Sequence, residues 1–191
     1  MPRHRFPNTR DRIERAAIEL FVEKGVDATS VRDVARAVDI SEGALYRHFD
    51  SKDALVWEAF ERNYVAFASR LETLAAAETT ARTKLAAMIR GFCAAHDEDP
   101  ALFRFLLFVQ HGQLNKLAPG TPNPVDAVRA VIAGGIVTTE IPPQDPDLAT
   151  AMLFGVVLQP VTFVAYGRLS SSLTSMCDRL IAASWAAVST V

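Results

Sequence analysis

Apolar residues recur at intervals of three and four along most of this chain, the period of helices with one buried face. Ile13, Ala16, Ala17, Leu20 and Phe21 make the first stripe, opened near Asn8 with Asp11 in its first turn and ended by Gly25, behind which Val26 supplies the apolar contact of a terminating motif. Val31, Val34, Ala35 and Val38 form a second, narrower face, and Leu45 with Phe49 a third. Leu55, Val56, Ala59, Phe60, Tyr64, Phe67, Leu71 and Leu74 then hold one face to about residue 75. At about 1.5 Å per residue this predicts a fourth helix of roughly 30 to 35 Å. A polar, alanine-rich stretch to Arg82 separates it from a fifth, with Leu85, Met88, Ile89, Phe92 and Cys93 inward and His96 extending the same face.

The second half is punctuated by one repeated device. Asp99-Pro100, Asn123-Pro124 and Asp145-Pro146 each set a capping side chain before a proline that fits the first helical position. They predict helix six from Pro100 to about Gln110, apolar nearly all round; helix seven from Pro124 to about Ile132; and helix eight beyond the Pro142-Pro143 loop. Gly112 to Pro122 reads as a flap. Pro160 predicts a kink in helix eight, with Gln159 and Thr162 at the bend. Ser170 to Ser172 start helix nine, striped by Leu173, Met176, Cys177, Leu180, Ile181, Trp185 and Val188. The expected class is all-α. Helices eight and nine carry more apolar surface than a domain of this size covers alone, which predicts a two-fold homodimer through these two C-terminal helices.

The chemistry concentrates between Thr29 and Lys52. Ser30 is placed to cap the second helix, with Asp33 answering it as a capping box requires. Asp39 stands where the chain must turn sharply, and it is one of the few residue types that tolerate a left-handed backbone. Ser41 caps an eight-residue third helix, and Ile40 with Leu45 forms the staple that orients it. With Leu45 and Phe49 inward, Glu42, Gly43, Ala44, Tyr46, Arg47 and His48 face out. Short apolar-backed helices with such an outer face suit insertion into a DNA major groove, N-terminal residues meeting base edges and Tyr46, His48 and Lys52 meeting phosphates. Glu42 would read a cytosine amino group or offset the helix dipole.

The run TSVRDVARAVDISEGALYRHFDSKDAL resembles the signature of the TetR family of bacterial transcriptional regulators, a G-x-L-Y-x-H-F-x-x-K string filled here by Gly43, Leu45, Tyr46, His48, Phe49 and Lys52. The likeness spans roughly residues 9 to 60. Asp39 departs from it, standing where the family often has glycine. The resemblance implies a three-helix DNA-binding domain over residues 6–66 and an effector-binding and dimerisation domain over 67–191. It also implies DNA contacts from Thr29, Ser30, Arg32, Ser41, Glu42, Gly43, Ala44, Tyr46, Arg47, His48 and Lys52. The effector would change the separation of two DNA-reading heads on a palindromic operator. Candidate pocket residues are Phe67, Phe92, His96, Phe103, Gln110, Phe154, Gln159 and Phe163, a set that suits a small, largely apolar effector with a few polar handles.

Composition narrows the alternatives. A net charge of −2 over 191 residues excludes wholesale coating of nucleic acid. DNA contact must then rest on a local cluster: Arg3, Arg5, Arg10, Arg12 and Arg15 near the start, followed by Arg32, Arg36, Arg47 and Lys52. Cys93 and Cys177 have no metal or disulfide spacing and read as packed thiols. His96-Asp97-Glu98-Asp99 is no metal motif, because neighbours at a helix end diverge. Leu148 to Tyr166 is uncharged and nearly long enough to span a bilayer, but it carries Thr150, Gln159, Pro160 and Thr162 and lacks basic flanks, so no membrane partner is expected. No apolar leader follows the N-terminal arginines, which points to the cytoplasm. No phosphate loop, nucleophile motif or catalytic cluster is present, so neither enzymatic activity nor a cofactor is expected. The competing reading is a helical small-molecule-binding or interaction protein that does not bind DNA.

Overall fold

A computed structural model describes residues 8–190. Among them the regular elements are α1 (Thr9–Lys24), α2 (Val31–Ala37), α3 (Glu42–Tyr46), α4 (Lys52–Ala76), α5 (Ala81–Glu98), α6 (Pro100–Gln113), α7 (Pro124–Val137), α8 (Pro146–Ala165) and α9 (Leu173–Ser189), with a 3-10 turn at Leu114–Lys116. The chain is all-α, as the periodicity requires. It divides into two compact units.

The first unit holds the described residues 8–63 together with Ala101–Ala118. Its core is built from the predicted stripes: Ile13, Ala17 and Phe21 of α1, Val34 and Ala35 of α2, Leu45 and Phe49 around α3, and Leu55, Val56 and Phe60 of α4 are all buried. A linear boundary near residue 66 does not anticipate that α6 belongs here. Phe105, 1% exposed, stacks on Phe21 with ring centroids 6.0 Å apart, and Lys116 lies 5.9 Å over the Trp57 ring. The last residues of α6 and the 3-10 turn fall where the expected flap begins, so the irregular segment is confined to Leu117 to Asn123.

The second unit holds Tyr64–Pro100 and the chain from Pro119 onward. Met88, Ile132, Ile141, Val161, Leu173 and Val188 form its most deeply buried apolar positions. Helix α7 runs to Val137, five residues past its expected end at Ile132, because Gly134 and Gly135 do not break it. A Cβ on Gly135 would lie 2.8 Å from both Ala81 Cβ and Ile141 Cδ1, so this glycine serves close helix contact. The helix closes beyond it: Thr139 takes φ 61, and the amides of Glu140 and Ile141 both donate to the Gly135 carbonyl. Glu140 then accepts from the Ala81 amide at 2.8 Å, holding the start of α5.

Helix α8 is continuous through Pro160. It is long and apolar enough to cross a membrane, but Ala149, Thr150, Leu153, Val157 and Val161 bury one stripe of it within the unit. Its opposite stripe, with Leu148, Met152, Phe163 and Tyr166, is exposed.

Candidate nucleic-acid interface

The geometry of α2, the turn and α3 follows from local side-chain chemistry. The Ser30 hydroxyl accepts from the Asp33 amide at 3.1 Å, and the Asp33 carboxylate accepts from the Ser30 amide at 3.0 Å and from its hydroxyl at 2.6 Å. These bonds, led by the hydroxyl, hold the Asp33 carboxyl below its ordinary range. Asp39 adopts φ 57, the left-handed turn that its residue type permits. The Ile40 amide reaches back to the Ala35 carbonyl at 3.0 Å. Ser41 accepts from the Ala44 amide at 3.1 Å and opens α3.

Helix α3 is shorter than the eight residues expected. It is regular over Glu42–Tyr46, after which the His48 and Phe49 amides both close on the Leu45 carbonyl. The reason is the nearness of the next helix, since Ser51 already accepts from the Ala54 amide at 3.0 Å to start α4. Leu45 and Phe49 point into the core, as their spacing requires. Ser41, Glu42, Gly43, Tyr46 and Arg47 are exposed, and Ala44 and His48 are half-buried. A Cβ on Gly43 would meet only the Ser41 hydroxyl, at 4.0 Å. No internal neighbour requires the glycine, so its bare backbone is open to close approach from outside. Arg32 of α2 lies 3.6 Å from Glu42, with both side chains largely in solvent.

Several cations are engaged by partners within the first unit. Lys52 Nζ donates to the Val26 and Thr29 carbonyls at 2.9 and 3.2 Å and so ties the start of α4 to the loop before α2. Thr29 is likewise internal: it is 1% exposed, and its hydroxyl donates to the Gly25 carbonyl at 2.8 Å. Arg10 donates to the His48 carbonyl, pairs with Glu58 and lies 4.4 Å over the Phe49 ring. Arg12 donates to the Val38 carbonyl at 2.8 Å. Arg62 clamps Asp11 and the buried Glu14, at 2.9 and 2.7 Å. Arg3 and Arg5 lie outside the described residues. The exposed cations left around α2 and α3 are therefore Arg32, Arg36 and Arg47.

The eight expected effector residues are not gathered in either unit. Phe67 and Phe92 meet in the second unit, ring centroids 6.1 Å apart. His96 is buried there, with Nδ1 3.1 Å from Asp97 Oδ1. Phe154 is half-buried. Gln159 and Phe163 are exposed on the stripe of α8 opposite its buried one. Phe103 and Gln110 belong to the first unit, where Phe103 is buried and the Gln110 amide donates to the Leu107 carbonyl at 3.2 Å. Asp97, read from the sequence only as part of a rejected metal motif, accepts from the Leu173 and Thr174 amides at 3.0 and 2.8 Å and holds the start of α9.

A capped pair of short helices with an open outer face, braced by α1 and followed by an all-helical unit, defines a helix-turn-helix transcriptional regulator. Residues 13–59 match the family of bacterial regulatory proteins described as the tetR family. That segment is thus a tetR-type DNA-binding domain.

The chain's relatives agree with that assignment. A fatty acid metabolism regulator protein of Bacillus subtilis is 27% identical over 155 residues, covering 77% of this chain and 78% of the relative. The transcriptional repressor KstR2 of Rhodococcus jostii is 55% identical over 42 residues, 22% of this chain and 21% of that one. In fold, the chain is similar to FadR from Bacillus subtilis in complex with stearoyl-CoA, with a TM-score of 0.75, 21% identity and coverage of 95% of this chain and 98% of that one.

Proposed function

We propose that this regulator is a homodimeric repressor that binds a palindromic operator and leaves it when a small, largely apolar effector binds the C-terminal domain. The observation that carries the DNA side is the uncommitted outer surface of α3, where Gly43, Tyr46 and Arg47 have no structural task that explains their exposure. With Ser30, Arg32, Ser41, Glu42, Ala44 and His48 they form a compact polar surface of a size that one half-site engages. Thr29 and Lys52 support that surface from within. Repression is favoured by the similarity of the DNA-binding segment to a named repressor. As a regulator of bacterial genes, it works in the cytoplasm.

The dimer is supported by exposed apolar and small residues of α8 and α9, Leu148, Met152 and Phe163 on one and Ala182, Ala183 and Ala186 on the other. One five-residue recognition helix gives little affinity alone, whereas two held about 35 Å apart read a palindrome over one turn of duplex. For the effector, a relative named for fatty acid metabolism and a similar structure that holds stearoyl-CoA favour a long-chain acyl compound. The Phe67 and Phe92 pair in the C-terminal domain suits such an apolar body. A preference of about 1 to 3 kcal/mol for the released form is enough to weaken operator binding five- to 150-fold.

Selection of bound sequences from random DNA tests this. A recovered palindrome, released by an acyl-CoA and not by free CoA, is the expected result. Failure to enrich any sequence at low ionic strength would leave a helical binding protein without a DNA function.

A further inference from the structure

Helix α3 buries a single side chain, Leu45, and α2 buries only Val34 and Ala35. Burial of so little apolar area keeps the two from separating, but it has no preferred direction and leaves a five-residue helix free to pivot. Base edges are read only from a pose held to about half an ångström, so directional bonds must supply the rest. Helix α1 provides two of them. The Arg12 guanidinium donates at 2.8 Å to the carbonyl of Val38, the C-cap of α2. That of Arg10 donates at 2.8 Å to the carbonyl of His48, in the turn that closes α3. Carbonyls at helix ends lack intrahelical partners, and a cation beside them also meets the negative end of the helix dipole. Two residues apart on α1, the side chains leave it in different directions and so reach different helices. Arg10 is held in turn: it pairs with Glu58 of α4 and lies 4.4 Å over the Phe49 ring.

We infer that Arg10 and Arg12 are positioning residues for sequence recognition, which fix the angle of α3 against α2 and α4 and do not serve as phosphate contacts. This role rests on the DNA-binding function proposed above. By composition both belong to the basic cluster near the start of the chain, where a cation adds similar affinity on any sequence. Their contacts give them a different signature. A guanidinium that holds a recognition helix matters only in complexes where base edges are read, so its loss lowers specific binding and spares nonspecific binding. Glu58 separates the two roles by sign. If Arg10 served phosphate, Glu58 would compete with DNA for it, and neutralising that carboxylate would strengthen binding to every duplex. If Arg10 serves α3, the same change removes a group that holds it and weakens discrimination.

The full wild-type chain is first used to enrich its preferred duplex from a random-sequence pool. That duplex and poly(dI-dC) are then titrated by fluorescence anisotropy across a salt series. Arg10→Gln and Arg12→Gln are each expected to lower affinity for the enriched duplex roughly five- to fiftyfold, to leave poly(dI-dC) within about twofold and to keep the salt slope on both. Glu58→Gln should lose discrimination in the same direction. Arg10→Lys and Arg12→Lys keep the charge but not the planar fork. A phosphate contact survives that change, whereas the carbonyl contacts should recover only part of the discrimination. These lysine variants and Glu58→Gln give the answer if a glutamine variant does not fold. An equal loss on both duplexes with a slope reduced by about one per arginine makes these residues phosphate contacts and overturns the inference. So does no loss at all, or a Glu58→Gln chain that binds every duplex more tightly. If the wild-type chain enriches no sequence, the DNA-binding function itself fails and this role with it.

Discussion

Lys52 illustrates what a single residue's type and position reveal and what they hide. Its register in the signature points to DNA, but its ammonium is bound to main-chain carbonyls 26 and 23 residues away in sequence. Any residue types at Val26 and Thr29 would present those carbonyls, so nothing in the letters announces the contact. Ser30, Ser41 and Asp39 were legible for the opposite reason, since each acts on backbone within a few residues of itself. Lys52→Met should therefore lower unfolding free energy by about 1 to 3 kcal/mol, as two carbonyls lose a charged donor. A salt titration of DNA binding should show a slope nearly unchanged, whereas a true phosphate contact would reduce it by about one. Asp39→Val probes the turn in the same way. A β-branched residue at φ 57 should cost about 1 to 2 kcal/mol in a thermal melt, and Asp39→Gly should cost nothing or stabilise slightly.

At the scale of elements, helix number and order followed from periodicity and caps, while the contacts between helices did not. The Asn123-Pro124 and Asp145-Pro146 starts were readable because cap and proline are adjacent. The end of α7 was misplaced because Gly135 looks like a breaker in sequence but functions as a contact with Ala81 and Ile141. Gly135→Ala should destabilise by about 1 to 3 kcal/mol, because Ala81 Cβ cannot swing away. Gly91→Ala is the comparison: its new methyl would meet the tip of Leu74, a flexible side chain, and it gains helix propensity of about 1 kcal/mol, so its melt should shift far less.

Asp97 ties α5 to α9 and makes that junction pH-dependent. Burial raises its pKa, but hydrogen bonds from Thr174, His96 and Leu173 outweigh this and bring it to about 2, below the ordinary 3.8. A carboxyl with a depressed folded pKa stabilises fully above its unfolded value and loses that contribution as pH falls through the folded one. The second unit should thus weaken between about pH 4 and pH 2. Asp97→Asn should be less stable at pH 7 and should lose part of the wild-type slope across that window, a comparison that circular dichroism melts at stepped pH would provide.

The whole molecule is where the proposed dimer is decided. On α8, Leu148, Met152, Gly155 and Phe163 face outward, and on α9 so do Ser175, Ala182, Ala183 and Ala186. The large apolar residues come from α8 and most of the small ones from α9, with Arg179 among them, a combination that would let two copies pack as the proposed four-helix bundle. Gly155 has nothing within 4 Å of where a Cβ would stand, so an arginine there meets no obstacle in a lone subunit. In the dimer it would place an unpaired charge in an apolar contact. Gly155→Arg should therefore sediment as a monomer while the wild-type chain sediments as a dimer, with the same helical circular dichroism. Because the two half-sites of an operator are engaged together only through the dimer, its affinity for a palindrome should fall on the order of 10²- to 10⁴-fold. Binding to an isolated half-site should change little. A wild-type chain that sediments as a monomer, or a Gly155→Arg dimer with intact operator affinity, would remove α8 and α9 from the interface.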